Sequence, residues 1–453
     1  MKDAFPPGLN SGLLGLTNAI RYKLDPLGFL RDAVNRYGDV APLQIGSNFI
    51  YLLHHPKFVK QVFLDNWSKF GKPDLIKVSN RGYWGDGLTS LEGQPWERRR
   101  RLIKPAFHQD RITTFARSIV SCTQDIIECW QAHAIINVDE VMLTLTARIA
   151  AKILFDAELE GHESKAITKT GPDIIHFKEA IGVDFRVSQN GDDFSSTSLI
   201  RRRAGQDMAS TLKIIQDRFD TAEDRGDMVS FLVNATYEDG SQMTYEELVG
   251  EIMQMFFAGH HTIPTTLIWL WYALSQHSEL EAQVHEELDR VLEERPPRAE
   301  DLPHLPYNEM IVKETLRYYS PTVALVREAK EDVQVGEYIL NKGATVWISP
   351  YLLHRDPRFF ENPERFWPER FTKERARRIP KYAYIPFGTG PRICIGQALS
   401  LMQIRLILAT VAQKYRLVLP PGQSIKPTLF LTMRPDKEMY MQVIPRSKKP
   451  NMS

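Results

Sequence analysis

Cysteine is scarce: Cys122, Cys129 and Cys394 are the only three in 453 residues. So few thiols make no disulfide framework, and a reducing compartment, the cytoplasm, is expected. Cys122 and Cys129 stand seven positions apart on one face of an expected helix, without a C-x-x-C pattern; they read as free thiols rather than a metal pair. An excess of one charge is lacking too. Lys plus Arg number 57 against 56 Asp plus Glu, a net of +1, which excludes the strongly basic balance of a nucleic-acid binder. No apolar run reaches the roughly 18 residues that span a bilayer. Met1–Asn10 is polar, contains Pro6-Pro7-Gly8 and leads into no signal-peptide core, so no transmembrane anchor is expected. Neither an internal repeat nor an interdomain linker is visible. Residues 1–453 are expected to form one domain with a large core.

What the chain does have is helical periodicity with short β-rich interludes, which predicts a mainly α fold with small β-sheets. Val40–Gly46 and Phe49–Leu53 are apolar, β-prone and broken by glycine, so residues 35–65 read as short strands. From about 95 to 290 apolar residues recur at helical spacing, with 113–133 and 140–157 as clear segments. Residues 183–196 are polar and read as a loop, and Arg201-Arg202-Arg203 opens the next helix. Thr244-Tyr245-Glu246-Glu247 is a capping-box start. The helix it opens is almost wholly apolar from Met253 to Tyr272, which predicts burial nearly all round. Further helices are expected near 278–294 and 307–319, strands within 322–350, a long proline-rich coil over 354–390, and a helix from Cys394 to about Tyr415.

The most specific stretch is Phe387-Gly388-Thr389-Gly390-Pro391-Arg392-Ile393-Cys394-Ile395-Gly396. Its glycines allow tight turns and close approach to a flat object. The cysteine can bind a metal as thiolate, and the arginine can neutralise an acidic edge. The stretch resembles the haem-thiolate loop of the cytochromes P450, F-G-x-G-x-R-x-C-x-G, at all six specified positions. The resemblance implies heme b held by Cys394 as axial ligand, between this loop and the long central helix. A thiolate on haem iron favours O–O cleavage. Without an anchor, the likeness narrows to soluble, bacterial-type members.

Other motifs follow in the family's order. Glu314-Thr315-Leu316-Arg317 matches E-x-x-R, with both charges on one helical face. Phe366-Trp367-Pro368-Glu369-Arg370-Phe371 resembles F-x-P-E-R-F, and Pro363-Glu364-Arg365-Phe366 is a decoy of similar sequence. Glu314, Arg317 and Arg370 are expected to form a structural network that pins the coil leading to Cys394. Ala258-Gly259-His260-His261-Thr262 resembles A/G-G-x-D/E-T. There, Ala258 and Gly259 would admit oxygen and Thr262 would supply protons. His261 replaces the usual acid; as an imidazole it would relay protons near neutral pH, or else it is a core histidine. Pro264 lacks an N–H and clashes with the carbonyl of His260, so a distorted helix is expected here.

The resemblance also implies that Trp96, Arg100, Arg327 and Arg392 face the haem propionates, with Phe387, Gly388, Gly390 and Gly396 around the sulfur. Met253, Phe256, Phe257, Val323, Ala324 and Leu325 are expected to line an apolar substrate pocket. Two basic groups, Arg98, Arg99, Arg101 and Lys104, and Lys373, Arg375, Arg377, Arg378 and Lys381, would steer an acidic donor. The stretch after Cys394 leaves no room for a fused reductase, so ferredoxin or flavodoxin with its reductase is the expected partner. The function implied is hydroxylation of a fatty acid, terpenoid or steroid with O₂. A peroxide-using peroxygenase or isomerase, or a non-catalytic haem protein, are the alternatives. Thr262 argues against the first.

Overall fold

The computed structural model describes residues 15–46, 48–74, 76–77, 85–157, 209–429 and 432–446. The expected loop at 183–196 and the Arg201–Arg203 helix start lie outside them. The longer helices are α1 (Leu16–Leu24), α2 (Pro26–Tyr37), α3 (Gly93–Ile103), α4 (Ala116–Glu128), α5 (Val138–Phe155), α6 (Ala209–Thr221), α7 (Tyr245–Gln276), α8 (Ser278–Leu292), α9 (Pro306–Tyr318) and α10 (Gln397–Lys414). Strands are short: β1 (Val40–Ile45), β2 (Asn48–Leu53), β3 (Phe70–Gly71), β4 (Ile135–Asn137), β5 (Leu325–Ala329), β6 (Val333–Val335), β7 (Tyr338–Leu340), β8 (Thr345–Ile348), β9 (Tyr415–Val418), β10 (Pro427–Leu429), β11 (Met433–Pro435) and β12 (Tyr440–Pro445). The fold is mainly helical with small sheets.

Local chemistry sets several boundaries. Asp25 caps α2 by accepting from Gly28 N–H, with Pro26 at the first helical position where its missing donor costs nothing. Thr244 and Glu247 cap α7 reciprocally. Asn137 caps α5. The main sheet runs β1-β2-β8-β5-β3. Only its β2–β8 pairing is parallel, Ile50 facing Thr345 and Leu53 facing Ile348. A second sheet runs β4-β12-β9, and β6–β7 and β10–β11 are separate hairpins. One apolar cluster, including Val40, Leu53, Phe58, Val62, Val346 and Ile385, lies under the main sheet. The larger one joins the helices and is centred on α7, whose Leu267, Trp269 and Leu270 have no exposed surface.

Three expectations change. Residues 56–65 are helical rather than strand, because His55 caps a turn opened by Pro56 and the helix continues with wider spacing through Gln61–Asp65. The helical segment 113–133 ends at Glu128, and β4 intervenes where Ile135-Ile136-Asn137 pairs with β12. The coil over 354–390 contains two short helical turns, Pro368–Phe371 and Lys373–Ala376. Pro264 lies inside α7, which runs 32 residues. Around the proline, threonine hydroxyls bond back along the helix: Thr262 to Ala258 O at 2.9 Å, Thr265 to His261 O at 2.7 Å and Thr266 to Thr262 O at 2.9 Å. Such bonds soften a helix by bending it locally.

Candidate active site

Cys394 is placed by the turns that precede it. Gly388 N–H donates to Ile385 O at 3.0 Å, Ile393 N–H to Gly390 O at 3.1 Å, and Cys394 N–H to Phe387 O at 3.0 Å. Gly388 and Gly390 both take positive φ, 73° and 75°. A methyl group on Gly390 would sit 2.0 Å from the carbonyl oxygen of Phe63, so this loop is wedged against the chain near β3. The Cys394 side chain is solvent-accessible, although protein surrounds it densely enough that burial pushes the thiol up. The Gly396 N–H and the Arg100 charge oppose that and favour thiolate. Directly after the loop, α10 begins at Gln397 and packs on α7, α4 and α9. The loop is thereby fixed relative to the central helix.

That helix has one accessible stripe. Ala258 is exposed, and Met255, Gly259 and Thr262 are half-buried, in a segment otherwise buried apart from Phe257. These positions share one face by their spacing of three and four. A methyl group on Gly259 would meet nothing within 4 Å. Ala258, Gly259 and Thr262 therefore lie together, and Met255 joins them, though sequence reading missed it; the 255/258/259/262 spacing carried the signal. Met253 and Phe256 are both buried, Phe256 within the helical core. Phe257 is half-buried and stacks on His261 at 6.4 Å. Val323 is buried, whereas Ala324 and Leu325 are half-accessible.

His261 does not titrate near neutral pH. Burial, then His260, then Arg434 push it down to about 3. Arg434 Nη2 lies 3.2 Å from its Nδ1. Guanidinium has no acceptor, so Nδ1 accepts and the ring proton sits on Nε2. Among the described residues that Nε2 is buried without a partner, as are both ring nitrogens of His260. His260 stacks on Phe256 at 5.7 Å. No sequence signal linked Arg434 to His261, 173 residues apart.

Beside the loop lies a group of cations. Arg100 Nη2 donates to Ile393 O at 2.7 Å, and its guanidinium lies 5.6 Å from the Trp96 ring. Arg392 stacks over the same ring at 4.1 Å and pairs with Glu92 at 2.7 Å. Arg327 is over Phe63, and burial, then Arg392, lower it to about 10. Lys72, absent from the sequence reading, belongs here as well. It donates to Thr89 O, and burial followed by Arg392 and Arg327 brings it to about 7. Lys72, Arg100, Arg327 and Arg392 crowd together with Glu92 as the acid bonded among them. Buried like charges of this kind fit an anionic ligand.

The coil is held by Glu314, Arg317 and Arg370, all buried. Arg317 grips Glu314 with two bonds of 2.8 Å. Arg370 Nε lies 3.1 and 3.0 Å from the two Glu314 oxygens, and Trp367 N–H adds a bond of 2.7 Å. The decoy Arg365 contributes its carbonyl, which accepts from both arginines. Arg317 also donates to His354 O at 2.7 Å, and His354 Nε2 accepts from Ile385 N–H at 2.9 Å. Because Ile385 O accepts from Gly388, the network reaches the Cys394 loop through His354, a residue with no sequence signature.

The sequence model of the family described as Cytochrome P450 matches residues 6–443. The chain belongs to the cytochrome P450 family. It is 32% identical over 411 residues to cyclooctatin synthase of Streptomyces melanosporofaciens, covering 89% of this chain and 88% of that one. It is 30% identical over 419 residues to cyclooctat-9-en-7-ol 5-monooxygenase of the same organism, covering 91% and 89%. Pentalenene oxygenase of Streptomyces avermitilis is 25% identical over 428 residues, covering 93% of both chains. The chain is a P450 monooxygenase. Among the described residues no helix is long and apolar enough to cross a membrane.

P450 membership implies heme b, and the residues present fit it. The accessible Cys394 thiol has a backbone donor on its sulfur, a cation group lies beside the loop, and the central helix exposes small side chains. When bound, haem supplies activation of O₂. The residues that would hold the haem are Cys394 through its sulfur and Arg100, Arg327, Arg392 and Lys72 along an acidic edge, with the Thr262 hydroxyl on the facing helix. That hydroxyl donates to Ala258 O, which leaves its lone pairs free to accept a proton donor.

Proposed function

We propose that this P450 hydroxylates an apolar terpenoid, a cyclic hydrocarbon or its mono-alcohol, at an unactivated C–H bond. One atom of O₂ enters the substrate and the other leaves as water, with two electrons and two protons consumed. The carrying observation is the accessible stripe Met255, Ala258, Gly259 and Thr262, which has no charged side chain and offers a single hydroxyl. Apolar walls with few polar groups suit such ligands. The relatives named for cyclooctat-9-en-7-ol and pentalenene support a terpenoid over a fatty acid or steroid.

Cys394 would hold the haem iron through its thiolate, Thr262 would position the proton donor, and Ala324, Leu325 and Phe257 would contribute to the pocket. His261, neutral and tied to Arg434, orients this part of α7 rather than carrying charge. Glu314, Arg317 and Arg370 hold the haem loop, and residues 1–453 act as one domain. Electrons arrive singly from a separate acidic ferredoxin or flavodoxin. Three free thiols support a reducing compartment such as the cytoplasm. The test is a panel of cyclic terpenes, fatty acids and steroids added to ferric holoenzyme, with the Soret shift recorded and products identified in an NADPH-driven assay with surrogate ferredoxin and reductase. A terpene that shifts the Soret band and gains one oxygen atom is the expected result. Turnover confined to fatty acids or steroids would overturn the substrate class.

A further inference from the structure

Three arginines of α3, Arg98, Arg99 and Arg101, are held by one small turn. Thr236 and Gln242 bridge antiparallel, and Gly240 at φ 81° closes the loop between them. At its base Arg99, buried, donates to Tyr237 Oη at 2.7 Å and to Glu251 at 3.0 Å, and it also pairs with Glu247. At its tip Asp239 holds Arg98 at 2.7 Å, Ser241 Oγ accepts a second bond from Arg98 at 2.7 Å, and Glu238 holds Arg101 at 2.9 Å. The Arg98 guanidinium lies 3.9 Å from the centre of the Tyr237 ring. A buried anchor thus delivers two carboxylates to two exposed arginines. Between those arginines, Arg100 turns the other way and bonds the carbonyl next to Cys394. The arginines expected to attract a donor are therefore already occupied. Among the described residues, Lys373, Arg377 and Arg378 make no ion pair.

We propose that the 237–241 turn is a built-in acidic clamp that competes with an acidic electron-donor protein for Arg98 and Arg101. This rests on the reading that such a donor serves the enzyme. The unpaired cations at 373–378 provide the long-range pull. Arg98 and Arg101 become available only when donor carboxylates displace Glu238 and Asp239. Exposed ion pairs are weak enough for that exchange, and like charges facing an incoming partner slow its docking.

The test uses holoenzyme and a purified acidic [2Fe–2S] ferredoxin, with Kd measured by calorimetry at low and high ionic strength. E238Q/D239N is expected to bind about 3- to 10-fold more tightly at low salt, with a steeper salt dependence. The gain must vanish in an R98Q/R101Q background; a mere change in net charge would persist there and would refute the clamp. The ferrous–CO spectrum of each variant reports an intact haem site. A parent Kd that is salt-sensitive but unchanged in E238Q/D239N overturns the clamp alone. A parent Kd indifferent to salt overturns the donor-docking reading as well.

Discussion

At Gly390 a methyl group has nowhere to go. Its Cβ would press on the backbone oxygen of Phe63 at 2.0 Å, and φ is 75°. At Gly396, by contrast, the nearest atom would be 3.8 Å away and φ is ordinary. Gly390→Ala should therefore cost roughly 3 kcal/mol or more through clash and backbone strain, and the purified protein should carry little haem. Gly396→Ala should keep its haem; equal haem loss in both variants, read as the Soret-to-protein absorbance ratio, would contradict this account. His261 gives a prediction in pH. Its folded pKa of about 3 lies below the ordinary imidazole value of 6.5. The neutral ring's contribution to stability is thus complete above 6.5 and is lost as pH falls toward 3, by up to about 1.4 kcal/mol per pH unit. In melts from pH 7 to 4, His261→Gln should lose less Tm than the parent, while activity between pH 6.5 and 8 shows no step from His261. Cys394 and Thr262 were legible because their neighbours in sequence are also their neighbours in space. Lys72 and Arg434 were not, since each meets its site across a gap of many residues.

Elements are coupled by the Glu314 carboxylate, which ties α9 to the coil and through His354 to the loop. Arginine's planar fork matters here. Arg370 bonds the carboxylate and also the carbonyls of Glu361, Asn362 and Arg365, which a lysine ammonium cannot reproduce at once. Glu314→Gln would leave two buried guanidinium groups uncompensated, at about 3–5 kcal/mol, and should yield protein without haem or no soluble protein. Arg370→Lys keeps the charge and should fall between Glu314→Gln and the parent in both melting temperature and haem content. A Glu314→Gln protein with parental melting and haem content would show the network to be ornamental. The E-x-x-R spacing was readable, and the apolar run of α7 announced its burial. The continuity of α7 past Pro264 was readable from the apolar run on both sides of it; the threonine hydroxyls that bond back beside the proline were not, because local rules count the missing donor and not such bonds.

On the scale of the molecule, the near-zero net charge hides a division of labour. Acids quench Arg98, Arg99 and Arg101 of α3, while among the described residues Lys373, Arg377 and Arg378 make no ion pair. The sequence announced helices and short strands in the right regions, yet it could not announce how strands combine. Alternation marks a strand's faces but not its partner, and β4 was too short to interrupt a helical pattern. The main sheet takes its middle strand, β8, from almost 300 residues beyond β2. This has a consequence for synthesis. A chain emerging from the ribosome completes the β1–β2 hairpin early and then carries an unmet strand edge until most of the polypeptide has been made. Contacts so distant along the chain form slowly, and an open edge invites pairing with another nascent chain. Yield of the intact protein should therefore depend on elongation rate and on chaperone supply.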